Sequence, residues 1–191
     1  MTPFEYVSVM ISIILGLGIT QIMTGVADLV HQWGKVKLYW PHLLWIVLVF
    51  VLHIQEWWET YELRVFESWR LPTFLFFSLY PVNLFILARI LFPFNPQEGD
   101  VVDLKQFYFK NYRKFFLSFM ILIILSIISN IIVHGFTYDQ LIHLSLFLFT
   151  GWIALSNYQQ EWLHKLVAAS LLLIFIVIII ANWNNWLIGK L

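Results

Sequence analysis

Six apolar runs, each about 20 residues long, divide this sequence of 191 residues, and little between them could fold in water. They cover roughly residues 4–30, 39–62, 71–92, 114–134, 140–160 and 165–186. A hydrocarbon layer about 30 Å thick leaves backbone amides no partner outside the segment, so runs of this length are expected to cross it as helices. The expected fold is all-α, a polytopic membrane helix bundle with six transmembrane helices forming a single domain, 1–191. Composition agrees: 61% of residues are apolar and only 12% are charged, against about 25% in an ordinary soluble domain. Mean hydropathy is +0.80.

Edge signals support these runs. In "TPFE", Thr2 is an N-cap, Pro3 takes the first helical position and Glu5 can close a capping box. "TYDQ" repeats that logic before the fifth run with Thr137 and Gln140. Pro41, Pro72 and Pro93 mark entries and exits, while Pro81 falls inside the third run and frees a carbonyl near Ser78. The first run has no basic residue before it and is too long for a cleavable signal, so it reads as a retained span.

Basic residues set the expected orientation. Eight lie on the side reached after spans one, three and five: Lys35, Lys37, Arg89, Lys105, Lys110, Arg113, Lys114 and Lys165. Three lie on the other: Arg64, Arg70 and Lys190. Both termini are therefore expected on the non-cytoplasmic side. Acidic and basic residues balance at 11 each, which suggests no polyanionic partner. The absence of cysteine excludes disulfides, thiolate metal sites and thiol catalysis.

Residues 93–113 are expected to form a cytoplasmic loop followed by an amphipathic, aromatic and basic interfacial segment. Basic residues interleaved with Phe107, Tyr108, Phe109 and Tyr112 could stack single-stranded nucleic acid. An interfacial helix against anionic lipid is the simpler reading. Lys105, Lys110, Arg113 and Lys114 are the candidate landing point for a cytoplasmic protein or nucleotide regulator.

The spans differ in kind. Four and six are rich in Ile, Leu, Val and Phe and read as lipid-facing walls. In span one, Ser8, Ser12, Gly16, Thr20, Thr24 and Asp28 recur at every fourth position, with Gly18, Gln21 and Gly25 beside them. Helices in lipid associate through small residues that let backbones approach. Gly16, Gly18, Thr20, Thr24 and Gly25 are therefore expected to form a packing seam, with Gly151 in the stripe Thr150, Gly151, Ala154, Asn157 and Glu161 of span five. The interior is expected to consist of spans one, two and five, with Ser78 and Asn83 from span three.

The end of span two, "LHIQEWWETYELR", splits on a helix at about 100° per residue. Glu62, Gln55, Glu59, Glu56, Thr60 and His53 share one half, and Trp57, Tyr61, Ile54 and Trp58 the other. Trp57, Trp58 and Tyr61 fit an interfacial belt. The polar half must face protein or water. His53 lies about 13 Å from the end of the span and Glu56 about 9 Å, too deep to be comfortable alone. They are three residues apart and could clasp each other, or hold a proton, ion or ligand. Ser8, Ser12, Gln21 and Asp28 of span one, with His53, Glu56, Glu59 and Thr60, are the candidate ion or ligand path.

A metal or haem is the competing reading. His53, His134 and His143 fall on the outer side, where Glu56 or Asp139 could join them around a divalent metal. Bis-His haem between spans two and five is conceivable. No His-x-x-x-His, Cys-x-x-Cys-His, Gly-x-Ser-Gly, His-Glu-x-x-His or phosphate-loop pattern occurs, so no cofactor is expected and no catalytic residue is assigned.

"ISIILGLGITQIMTGVADLV" followed by "HLLWIVLVFVLHIQEWW" resembles a family of small, uncharacterised multi-span bacterial membrane proteins. These share a Leu-Gly-rich first helix and a His-x-Gln-x-Trp-Trp-like second helix. The resemblance covers the first two spans, implies a bacterial inner membrane and brings no activity. It draws attention to Gly16, Gly18, Thr20, His53, Trp57 and Trp58. The function expected first is a homo-oligomeric ion channel or gated membrane effector, for instance in bacterial phage defence, lined by the polar faces of spans one and two. The alternatives are an outward-facing transport or binding protein for a small ligand or ion centred on His53 and Glu56, a haem- or metal-binding redox protein, and an accessory subunit.

Overall fold

Every well-bounded apolar run becomes a helix. The structure, a computed structural model, describes residues 1–93, 101–156 and 158–181, without the side chain of Asp139. Its helices are α1 (Pro3–His31), α2 (Trp40–Glu59), α3 (Leu71–Ile90), α4 (Leu104–His134), α5 (Asp139–Leu155) and α6 (Glu161–Ala181). A 3₁₀ turn, Thr60–Val65, continues α2. Asn157, Lys190 and the last residues expected in span six lie outside the described residues.

Caps explain the edges. Thr2 Oγ1 accepts from Glu5 N at 3.1 Å and Thr2 N donates to Glu5 Oε2 at 2.7 Å, so the expected capping box is present. Asp103 Oδ1 caps α4 by accepting from Lys105 N and Gln106 N, both at 3.0 Å. Gly135, at φ 76°, ends α4 in a backbone conformation that costs glycine little. Before α5, Thr137 N donates to Gln140 Oε1 at 2.5 Å, one half of the second expected box.

Among the described residues, five helices are long and apolar enough to cross a membrane: α1, α2 with its 3₁₀ extension, α3, α4 and α6. α5 has 17 residues, or about 26 Å at 1.5 Å each, a few Å short of a typical hydrocarbon layer. Outward surfaces are apolar: Ile13, Leu17, Leu75, Leu79, Ile121, Leu173 and Val177 are all exposed. A soluble protein does not carry such a surface, and lipid requires it.

The packing order differs from the expected one. α1 packs along α3, α3 along α4 and α4 along α5, while α6, α1 and α3 flank α2. Spans three and four thus occupy the middle of the chain of contacts that was expected to belong to spans one, two and five. α4 is no mere lipid wall: Phe115, Phe116, Ser118, Leu122 and Ile123 are buried. The reason is physical. Lipid tails are as apolar as leucine, so hydropathy does not distinguish a helix face that meets lipid from one that meets another helix.

The basic aromatic segment after residue 100 also differs. It is not a separate interfacial helix but the opening turns of α4, with Leu104, Tyr108 and Tyr112 buried at four-residue spacing. A short parallel pairing of Val36–Lys37 with Val102–Asp103 ties its start to the connection between α1 and α2. In the core, Trp45 of α2 meets Phe115 and Phe116 edge-on at 4.7 and 5.5 Å. Between α3 and α4, Asn83 Nδ2 donates to the Ser118 carbonyl at 2.8 Å and Ser118 Oγ donates back to Asn83 Oδ1 at 3.0 Å. That reciprocal pair satisfies two polar side chains where lipid offers no alternative.

Candidate functional site

The polar arc of α2 opens into a cleft between α2, α3 and α4. Glu56, Glu59, Thr60 and Glu62 line one wall; Phe77 and Tyr80 of α3, with Ser126, Ser129, Asn130 and His134 of α4, line the others. Its free space is about 50 Å³, enough for a few water molecules or one small ion. Among the described residues, no lysine or arginine lines it.

The three carboxylates follow one another at three-residue steps, about 4.5 Å along the α-helix from Glu56 to Glu59 and about 6 Å along the 3₁₀ turn from Glu59 to Glu62. At the mouth, Glu62 Oε2 lies 2.9 Å from His134 Nε2. One step in, Glu59 Oε1 accepts from Gln55 Nε2 at 2.7 Å. Thr60 Oγ1 donates to the Glu56 carbonyl at 2.8 Å and so holds the last turn of α2. The Glu56 carboxylate has no hydrogen-bond or ion-pair partner among the described residues. Beneath it Trp45, Leu48 and Val49 are buried and seal the helix interior.

His53 is not part of this cleft. Its Nδ1 lies 2.7 Å from the Val49 carbonyl, one turn back, and its ring is fully buried. Helical side chains lean toward the N-terminus, so His53 reaches toward Val49 and away from Glu56. The expected His53–Glu56 clasp does not form. The ring instead fills the space left by Gly18 of α1: a Cβ there would fall 2.7 Å from His53 Cδ2.

The small residues separate into two groups. Val7, Ile11, Leu15, Gly18, Ile22, Gly25 and Leu29 form the buried seam of α1. Gly25 lies against the Phe92 ring, with 2.6 Å from an added Cβ to Cδ2, and Gly151 against Met120, with 3.0 Å to Cε. Gly16, Thr20 and Thr24 lie on an exposed face instead; Gly16 has nothing near it, and Thr20 Oγ1 donates to the Gly16 carbonyl at 2.8 Å. Ser8, Ser12 and Gln21 are half-buried along α1, and Asp28 is exposed near Gln32 and Phe92. None of the four lines the acidic cleft.

Other candidates fall into place singly. Trp57 is exposed, and Tyr61 packs on Phe4 at 6.3 Å with the Arg64 guanidinium 3.9 Å over its ring; Trp58 is half-buried. Lys105 pairs with Glu161 at 2.5 Å, and Lys110, Arg113 and Lys114 are exposed on α4. His53, His134 and His143 do not gather: among the described residues no three His, Asp or Glu side chains come together as a metal ion requires.

Tyr80, Ser126, Ser129 and Asn130 belong to the cleft and were not singled out from sequence. A signal was present, since Ser126, Ser129 and Asn130 stand three and four apart, a single polar face on an otherwise Ile-rich helix. Comparison with known protein families, with curated proteins and with solved structures finds no match.

Proposed function

We propose that this is a six-span protein of the bacterial inner membrane, with both termini on the non-cytoplasmic side, that takes up a small cation at the acidic cleft. α5 serves as the sixth span, its shortness met by local thinning of the bilayer. The eight-to-three distribution of basic residues supports the orientation, which opens the cleft outward. The observation that carries the reading is that Glu56, Glu59 and Glu62 line one cleft in which, among the described residues, His134 at the mouth is the one basic side chain and no lysine or arginine enters. Carboxylates set into a membrane protein require a counter-ion, a proton or water. Field lines from three of them raise the local concentration of cations. The cleft admits an ion with part of its hydration and excludes an ordinary metabolite. Glu62 captures, Glu59 is held in place by Gln55, and Glu56 supplies the innermost oxygens.

The test is calorimetric titration of the full chain in nanodiscs with Na⁺, K⁺ and Ca²⁺. One of them is expected to bind saturably, and the Glu56→Gln, Glu59→Gln double variant to bind it at least tenfold more weakly. Absence of binding by all three, or equal binding by the variant, would refute cation uptake.

A second reading is the homo-oligomeric channel or gated effector. It draws support from the exposed Gly16–Thr20–Thr24 face of α1, which is small enough for a second copy to approach closely. A regulator docking on Lys110, Arg113 and Lys114 would then supply the cue for opening. Native mass spectrometry from nanodiscs decides it: an oligomer lost in Gly16→Leu favours the channel, and a monomer excludes it.

A further inference from the structure

At the opposite end of α2, His42 sits about 21 Å along the helix axis from Glu56. There three helices and one connection bring together a box of tyrosines and histidines. His42 comes from α2, Tyr108 and Tyr112 from α4, His164 from α6 and Tyr39 from the residue preceding α2. All five are at most 5% exposed. Tyr108 is the hub, its ring centroid 5.6 Å from Tyr39, 6.0 Å from His42, 6.4 Å from Tyr112 and 5.4 Å from His164.

Hydrogen-bond partners fix the roles of the ring nitrogens. His164 Nε2 lies 2.8 Å from the Tyr158 carbonyl, so it carries the hydrogen and donates. Its Nδ1 is then a lone pair, which accepts from the Tyr108 hydroxyl at 3.0 Å. His42 Nε2 likewise donates to the Leu91 carbonyl at 2.8 Å. His42 Nδ1 is therefore an acceptor, and among the described residues no donor reaches it. Two donors stand unmatched in the same box, for the hydroxyls of Tyr39 and Tyr112 are buried and also lack partners. One orphan acceptor and two orphan donors around one hub are unusual in a packed interior, where ordered water completes such sets.

We propose that this box is a hydrated proton-holding site, in which one or two buried water molecules join the Tyr39 and Tyr112 hydroxyls to His42 Nδ1. A proton arriving from the rim passes from the water to the His42 Nδ1 lone pair. The water regains a proton from the next water outward, and the reverse transfer empties the site. The Nε2–H of His42 stays on the Leu91 carbonyl throughout, so no other bond is broken. His164 offers a second lone pair once the Tyr108 hydroxyl turns away from it.

A proton suits the box better than a metal ion. Among the described residues, no carboxylate enters it and no group of three metal-ligating side chains occurs. The facing ionisable groups are Tyr108, Tyr112 and His164 inside, and Tyr39 at the entrance. Glu161 stands outside it, engaged by Lys105 at 2.5 Å and Lys165 at 2.8 Å. Lys37 and Asp103, 4.0 Å apart, flank the entrance, and Arg89 lies two residues before Leu91. Burial and the Glu161 carboxylate push the Tyr39 phenol up to about 12, so it stays an O–H donor at any physiological pH.

The site does not depend on cation uptake at the acidic cleft. Its test is magic-angle-spinning NMR on the full chain in nanodiscs, with ¹⁵N-labelled histidine and magnetisation transferred from water. His42 is expected to receive water magnetisation as a neutral ring with Nδ1 unprotonated, and to gain a second N–H on acidification. Tyr112→Phe, and more strongly Tyr39→Phe with Tyr112→Phe, should remove the water transfer to His42 while exposed His134 keeps it. Glu56→Gln should leave the His42 signals unchanged, which separates this result from the fate of the cleft. A dry His42 in the wild-type protein overturns the proposal. So does a His42 that receives water magnetisation but never takes a second proton over the whole acid range in which the protein stays folded. The wild-type spectra decide both points even where a variant fails to fold.

Discussion

Gly18→Ala offers the sharpest test of how α1 and α2 meet. The added methyl would stand 2.7 Å from Cδ2 of His53 and closer still to Nε2, both in a ring with no exposed surface. The ring cannot swing clear without breaking its 2.7 Å contact to the Val49 carbonyl. Either that bond is lost or α1 moves off α2. Overpacking of this kind costs about 1–3 kcal/mol, and breaking a buried hydrogen bond adds about 1 kcal/mol. A loss of about 2–4 kcal/mol follows, equal to about 30- to 700-fold in the unfolding equilibrium at about 1.4 kcal/mol per factor of ten. Gly16→Ala is the control, two residues earlier on the same helix, where a Cβ meets nothing within 4 Å. It should lie within about 0.5 kcal/mol of wild type. The assay is steric trapping in bicelles, read against His53→Ala and the double variant. His53→Ala removes the obstacle, so Gly18→Ala should cost far less in that background than alone. Equal stabilities of Gly18→Ala and Gly16→Ala, or additive effects in the cycle, would refute the reasoning.

The same logic predicts that Gly25→Ala is destabilising through the Phe92 ring, with rescue by Phe92→Ala in the same assay. Replacing Asn83 by Leu should cost about 0.6–1.7 kcal/mol, the range for hydrogen bonds between membrane helices, because it removes both bonds to Ser118; a neutral result would mean that the pair is not formed in the bilayer. Lys105→Ala should leave stability little changed, since its pair with Glu161 is solvent-exposed, and the small effect should fade in high salt. Tyr39 should ionise late: in alkaline difference spectra, Tyr39→Phe is expected to lose a phenolate component near pH 12 rather than near the ordinary value of 10. Because the folded value is the higher one, the stabilisation linked to Tyr39 is present below about pH 10 and is lost as pH rises toward 12.

The two polar clusters on α2 also suggest why the helix is built as it is. Glu56 and Glu59 open toward one end and His42 toward the other, with Trp45, Leu48 and Val49 buried between them. A cation bound at the cleft and a proton held at the box would therefore not share an aqueous path in this conformation. Any exchange between them requires the plug around Trp45 to move against Phe115 and Phe116.

What the chain order settles by itself is what a single helix can express. The lengths of the apolar runs, the Thr2–Glu5 capping box, the glycine that ends α4 and the two-sided character of the Glu56–Glu62 stretch are local properties. They follow from 3.6-residue periodicity and from the need to pair backbone amides inside hydrocarbon. Tertiary structure decided which faces meet. Gly18 and Gly25 entered the seam while Gly16, Thr20 and Thr24 of the same four-residue pattern stayed outside, because in lipid both faces of a helix are equally free of water. Likewise, nothing in the order of residues brings Ser126, Ser129, Asn130 and His134 opposite the α2 carboxylates, or sets Tyr112 and His164 around the Tyr108 ring that meets His42. Those meetings join residues up to 78 positions apart, from Glu56 to His134 across the cleft, and arise only when α3, α4 and α6 have closed around α2.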